Sequence, residues 1–152
     1  MPELVSAEKI KTLVGKENGV SEWILIDQDR INRFADATED HQWIHVDIEK
    51  AKKGPFGGPI GHGFLTLSLI PVFSKSAKYV PEGLKMSVNY GLNKVRFINP
   101  VPVGSRVRSK MTISAVEEKG PGRILMTVTH TIEIEGQEKP VCIAEALGML
   151  FF

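Results

Sequence analysis

Residues 64–77, FLTLSLIPVFSKSA, are apolar on nearly every side when wound as a helix. Such a helix has to be buried, so the rest of the chain must supply a surface that covers it. The second half of the sequence contains that surface. In 106–116, RVRSKMTISAV, Val107, Met111, Ile113 and Ala115 alternate with Arg106, Arg108, Lys110 and Thr112. A period of two marks a strand with one face in the core and one in water. Residues 124–135, ILMTVTHTIEIE, alternate again, and 140–152, PVCIAEALGMLFF, read as a last strand. The turns EEKGPGR (117–123) and GQEK (136–139) join these three into an antiparallel meander. Upstream, 83–98, GLKMSVNYGLNKVRFI, reads as extended with a break near Gly91, and NPVPVGS (99–105) as a turn. The fold class is therefore α+β: an antiparallel sheet covered by, and wrapped around, the 64–77 helix. Pro71 is expected to kink that helix or mark a boundary within it. Pattern alone leaves other α+β sandwiches open.

The first half reads as short helices and loops. Ser6 caps a helix through Val14, which Gly15 stops. SEWILI (21–26) is a short strand. Asp27 caps QDRINRFADA, where Ile31, Phe34 and Ala35 share a face, and Asp47 caps IEKAKK, ended by Gly54. With 152 residues the chain suits one domain spanning 1–152. A net charge of +1 gives no reason to expect nucleic acid or an anionic membrane as partner. The one cysteine, Cys142, excludes an internal disulfide and fits a reducing compartment. No apolar run approaches the roughly 20 residues that span a bilayer, and the N-terminus has no signal-peptide core. A cytoplasmic protein is the expectation.

The densest chemistry lies in DATEDHQWIH, residues 36–45. His41 and His45 are four apart, a spacing that binds zinc on a helix. Here, however, the stretch reads as a helix end followed by a loop, and the glutamate of a His-Glu-x-x-His site is missing. No metal is expected, and His41 receives no role. His130, on the apolar face of a strand, reads as a satisfied core histidine. GPFGGPIGHG (54–63) lacks the Gly-Lys-Ser/Thr ending of a phosphate loop.

Three blocks in order resemble the MaoC-like (R)-specific enoyl-CoA hydratases. The first is Phe34, Asp40-His41-Gln42-Trp43-Ile44-His45 and Ala51; the second is Pro59-Ile60-Gly61-His62-Gly63; the third is NKVRFINPVPVGSRV (93–107). Glu39, Gln42 and Trp43 depart from the family's usual Gly, Asn and Pro, which makes the chain look closer to the nodulation-protein-N-like branch. The resemblance implies a hot-dog fold, a homodimer with pockets at its interface and an acyl-CoA substrate without metal or redox cofactor.

Hydrating an enoyl thioester needs a base for water, an acid for the α-carbon and donors for the enolate oxygen. Asp40 and His45 are suited to the first two: Asp40 is assigned as base, and His45 positions the water and delivers a proton. By resemblance, the Gly63 amide at the helix start is the oxyanion donor. Gln42, Trp43 and His62 are candidate substrate contacts, His62 also a loop support. Lys94 and Arg96 are candidates for the coenzyme A phosphates. Arg106 and Arg108 fit a solvated strand face at least as well. The expected activity is reversible hydration of trans-2-enoyl-CoA to (R)-3-hydroxyacyl-CoA. The competing readings are an acyl-CoA thioesterase and a non-catalytic acyl-CoA or acyl-carrier-protein binding module.

Overall fold

The computed structural model describes residues 1–152. In chain order, β1 (Glu3–Val5) and α1 (Ala7–Thr12) lead into β2 (Glu17–Val20) and β3 (Ile24–Ile26). Next come α2 (Gln28–Thr38), α3 (Trp43–Val46) and α4 (Ile48–Lys52). The short strand β4 (Ile60–Gly61) precedes α5 (Gly63–Ser68) and α6 (Ile70–Phe73), and a 3₁₀ turn at Ser74–Ser76 closes that helical path. The remaining strands are β5 (Tyr79–Pro81), β6 (Met86–Phe97), β7 (Val101–Pro102), β8 (Ser105–Glu118), β9 (Arg123–Ile134) and β10 (Cys142–Phe151).

All three anticipated N-caps form. The side chain of Ser6 accepts from the Lys9 amide at 3.1 Å, Asp27 from Arg30 at 2.9 Å and Asp47 from Lys50 at 3.0 Å. Each satisfies a donor that a helix start leaves unpaired. The first helix ends at Thr12, earlier than the sequence pattern suggests, and the chain leaves through a turn to Gly15 at φ +87°.

The main sheet runs β2-β8-β9-β10-β6, with β3 pairing further along β8. The meander β8-β9-β10 is antiparallel throughout. Between Ile113↔Val128 and Ala115↔Thr127 one residue, Ser114, is extra on β8. A bulge of this kind reverses the facing of every later residue on the strand. Ala115, which the alternation places inward, is therefore exposed. On β6 two similar irregularities, at Tyr90 and Asn93, flank Gly91, so the anticipated break is a pair of bulges in one continuous strand.

One sheet face packs against the α5–α6 path. Leu65, Leu69 and Phe73 share a cluster with Val107, Ile132, Ile134, Cys142 and Ala144, the sheet-around-helix arrangement of a hot-dog fold. The helix is not continuous: it breaks at Leu69, and Pro71 sits in the first turn of α6. Proline has no amide for the Leu67 carbonyl and its ring crowds that oxygen, so an uninterrupted helix is disfavoured there. Nor is the path covered on all sides. Phe64 is 68% exposed, and Val72 is also exposed. Strand β6, at the sheet edge, carries exposed apolar residues, among them Met86, Val88, Tyr90 and Leu92. No helix is long and apolar enough to cross a membrane.

His130 is a core histidine, 1% exposed, with Nδ1 2.9 Å from Ser109 Oγ. Burial pushes its pKa down to about 4, because the cation would lose its hydration.

Candidate active site

At the end of α2, Glu39 takes the left-handed conformation, φ +63°. This turns the chain out of the helix and sends Asp40–Gln42 across to α3. Asp40 is exposed, and its Oδ1 accepts from the Gln42 amide at 3.3 Å. The single turn of α3 buries His45 and no other residue. His45 Nδ1 lies 2.6 Å from the Ile60 carbonyl oxygen. A carbonyl can only accept, so Nδ1 carries the hydrogen and Nε2 has a bare lone pair. Burial lowers the pKa of His45 below the usual imidazole value; the Ile60 carbonyl opposes this, and neighbouring His62 lowers it further. His45 is thus neutral at pH 7 and an acceptor at Nε2.

His62 is the N-cap residue of α5 and is 3% exposed. Its Nε2–H donates to the Asp40 carbonyl at 3.0 Å. Its ring stacks on His45 with centroids 3.8 Å apart and planes 23° from parallel, and Phe34 supports it at 4.9 Å. Its Nδ1 is the one buried side-chain polar atom in the chain without a hydrogen-bond partner.

Asp40, His45 and His62 each offer an atom within 4.8 Å of the others, so a metal has to be tested. A zinc ion sits about 2.0–2.1 Å from an imidazole nitrogen, along its in-plane lone pair. The two rings are stacked with centroids 3.8 Å apart, and two of their four nitrogens are taken, His45 Nδ1 by the Ile60 carbonyl and His62 Nε2 by the Asp40 carbonyl. The pair suits stacking better than chelation.

The His45 ring and Gly63, first residue of α5, line one open cleft of about 350 Å³ with Thr66, Phe97, Asn99 and Val101. The Gly63 amide is at the helix start, where no intrahelical acceptor reaches it. A methyl group on Gly63 would meet the Phe97 ring at 3.2 Å. A second cavity of about 330 Å³, at the far end of the helical path, includes Pro71, Ser74 and His130 and shares no residue with the first. The cleft containing His45 is the candidate site because it alone joins a bare base to an unpaired helix-start amide.

The structure brings Asp40, His45 and His62 together, with Gly63 following His62 in the chain; of these, His45 and Gly63 line the cleft and Asp40 and His62 lie outside its lining. Gln42 is exposed at the start of α3. The Trp43 ring packs on Gly54, where a Cβ would come within 2.9 Å of it, and lies under Lys50 Nζ at 4.8 Å. Neither lines the cleft. Lys94 and Arg96 are exposed on β6, also outside it. Arg108 is tied to Glu133 at 2.6 Å and stacks on Trp23 at 4.3 Å, and Arg106 pairs with Glu135 at 3.4 Å, as on a structural strand face. His41 bonds Asp36 at 2.8 Å on the surface, which raises its pKa. Two contributors escape sequence reading. Thr66 lies one turn beyond Gly63, so helical spacing could have found it. The Ile60 carbonyl, which sets the His45 tautomer, has no side-chain signal at all.

A sheet folded around a broken central helix, with an Asp–His pair beside the helix start, defines a hot-dog protein of the dehydratase type. The chain belongs to the MaoC like domain family, which matches residues 9–135. It is 50% identical over 142 residues, 93% of each chain, to 3-hydroxyacyl-thioester dehydratase Z of Mycobacterium tuberculosis (strain ATCC 25618 / H37Rv). It is 43% identical over 153 residues to nodulation protein N of Rhizobium leguminosarum bv. viciae, covering 100% of this chain and 94% of that one. Among solved structures, the (R)-hydratase from A. caviae involved in PHA biosynthesis superposes with a TM-score of 0.71 at 25% identity, over 88% of this chain and 95% of that one.

Proposed function

We propose that the protein reversibly hydrates trans-2-enoyl-CoA to (R)-3-hydroxyacyl-CoA. The observation that carries this is the bare Nε2 of His45, held by the Ile60 carbonyl beside Asp40 and in the same cleft as Gly63. A water donating one hydrogen to Asp40 and one to His45 Nε2 has its oxygen lone pair free to attack C3. As the C3–O bond forms, the C2=C3 π electrons move to C2 and, by conjugation, to the thioester oxygen. The Gly63 amide stabilises that oxygen, a donor worth about 3 kcal/mol in a site of this kind.

In this reading the division of labour differs from the one anticipated from sequence. A neutral His45 with a bare Nε2 has no proton to deliver until it has taken one. His45 therefore takes the water proton, and the imidazolium returns it to C2. Asp40 holds the water and stabilises the transient cation. The balance is one water added, hydroxyl to C3 and hydrogen to C2, with no metal or redox cofactor. The uncovered Phe64 and the exposed apolar residues of β6 support a homodimer, whose partner would cover the open cleft and the sheet edge.

The test is loss of the conjugated-enoyl absorbance of crotonyl-CoA. Wild type is expected to consume it, with Asp40→Asn and His45→Gln each slower by roughly 10²–10⁴-fold. No turnover by wild type across several chain lengths sinks the proposal. Release of free thiol from a saturated acyl-CoA would indicate the thioesterase; binding without turnover, unaffected by Asp40→Asn, would indicate the binding module.

A further inference from the structure

We infer that His62 is a positioning residue that holds Asp40 and His45 in register with each other and with the start of α5. The inference rests on the hydratase reading for its catalytic consequence but not for its geometry.

One imidazole touches all three parts of the site. Its Nε2–H donates to the carbonyl of Asp40, 22 residues earlier in the chain, and fixes the loop that carries the carboxylate. Its face lies on the His45 ring at 3.8 Å, and the Phe34 ring packs against it at 4.9 Å, tilted by 58°. Its backbone caps α5, so the next residue is Gly63. His45 has only one ring hydrogen bond, to Ile60. A ring held at one atom can swing about that bond; a second ring stacked on its face removes that freedom.

The unpaired Nδ1 strengthens the case. A buried imidazole nitrogen is a polar group that packing alone does not call for. His62 combines an aromatic face with a donor at Nε2; phenylalanine keeps only the first, and glutamine only the second. The contacts His62 makes are with Asp40 and His45, so it acts through these neighbours.

The experiment compares wild type with His62→Gln and His62→Phe, two variants that each keep one of the two contacts. Long-range ¹H–¹⁵N spectra of the ligand-free protein read the tautomer of His45, and steady-state kinetics with crotonyl-CoA read kcat and KM. Wild type is expected to show His45 as the pure Nδ1–H form. His62→Gln, which removes the stack, is expected to show a mixture of His45 tautomers, and His62→Phe, which keeps it, the Nδ1–H form; both are expected to lose kcat at least about tenfold with KM changed less than about threefold, as for a misplaced reacting group. His45 remaining purely Nδ1–H in His62→Gln overturns the proposal, and so does full kcat in both variants. If thermal melting shows one variant unfolded, the other decides. A wild type without turnover removes the hydratase reading, and the spectra then still decide whether His62 holds His45.

Discussion

At the scale of single residues, the site depends on a histidine kept neutral by its surroundings. Protonating His45 at Nε2 removes the acceptor on which the proposed chemistry depends. Burial holds its pKa below the usual 6.5, so the base stays available through neutral pH and is lost only on acidification below that value. The pH profile of kcat/KM should therefore show an acid limb with its midpoint below 6.5; a midpoint above 6.5 would exclude His45 as the base. Gly63 offers a second measurement. Alanine there keeps the amide, but its methyl group would press on the Phe97 ring at 3.2 Å. Gly63→Ala should lower kcat by about tenfold through displacement of the helix start. Adding Phe97→Leu should recover most of it, and steady-state kinetics on the single and double variants check both.

At the scale of elements, short side chains at helix starts and a left-handed turn deliver the catalytic loop to its place. Asp27 starts α2, and Glu39 at φ +63° ends it, so together they set where Asp40 emerges. Asp27→Ala loses the bond to the Arg30 amide. It should cost about 1 kcal/mol of stability in urea unfolding, with little change in KM. These signals were legible from sequence because a cap is local: donor and acceptor are three residues apart. The α3 turn, read as loop, was not legible. Four residues are too few for a periodic pattern, and α3 exists because it seats the buried His45 against Ile60. The break in the central helix was legible at Pro71 for the local reason that proline lacks an amide. The bulge at Ser114, which moves Ala115 outward, depends on pairing with β9 and leaves no local trace.

At the scale of the whole molecule, the sheet leaves one edge apolar and open. On β6, Tyr90 is 61% exposed, and Met86, Val88 and Leu92 are exposed as well. An edge of this kind invites pairing with another chain. Sedimentation should give the mass of a dimer for wild type and of a monomer for a Tyr90→Glu, Leu92→Lys double variant; a monomeric wild type would refute the assembly. The core makes a separate, pH-dependent contribution. His130 has a folded-state pKa of about 4 and an unfolded value near 6.5. The unfolded chain therefore binds the extra proton between those values. The stabilisation is full above pH 6.5 and disappears as pH falls to about 4. Between pH 7.5 and 4.5, wild type should lose about 2–3 kcal/mol more than His130→Gln in urea unfolding.

Strand alternation, helix caps, the apolar segment that packs on the sheet and the spacing of Asp40, His45 and Gly63 could be read from the sequence alone. Each depends on neighbours within a turn or two, or on a periodicity that a single chain displays. Only the tertiary structure decided which tautomer His45 adopts, that His62 joins the three parts of the site, and that Trp43 faces Gly54 instead of the cleft. These depend on contacts between segments distant in sequence, such as a carbonyl at Ile60 and a ring at His62 meeting a side chain at His45. A backbone carbonyl has no letter of its own, and a stacking partner is visible only once the chain has folded the two rings together.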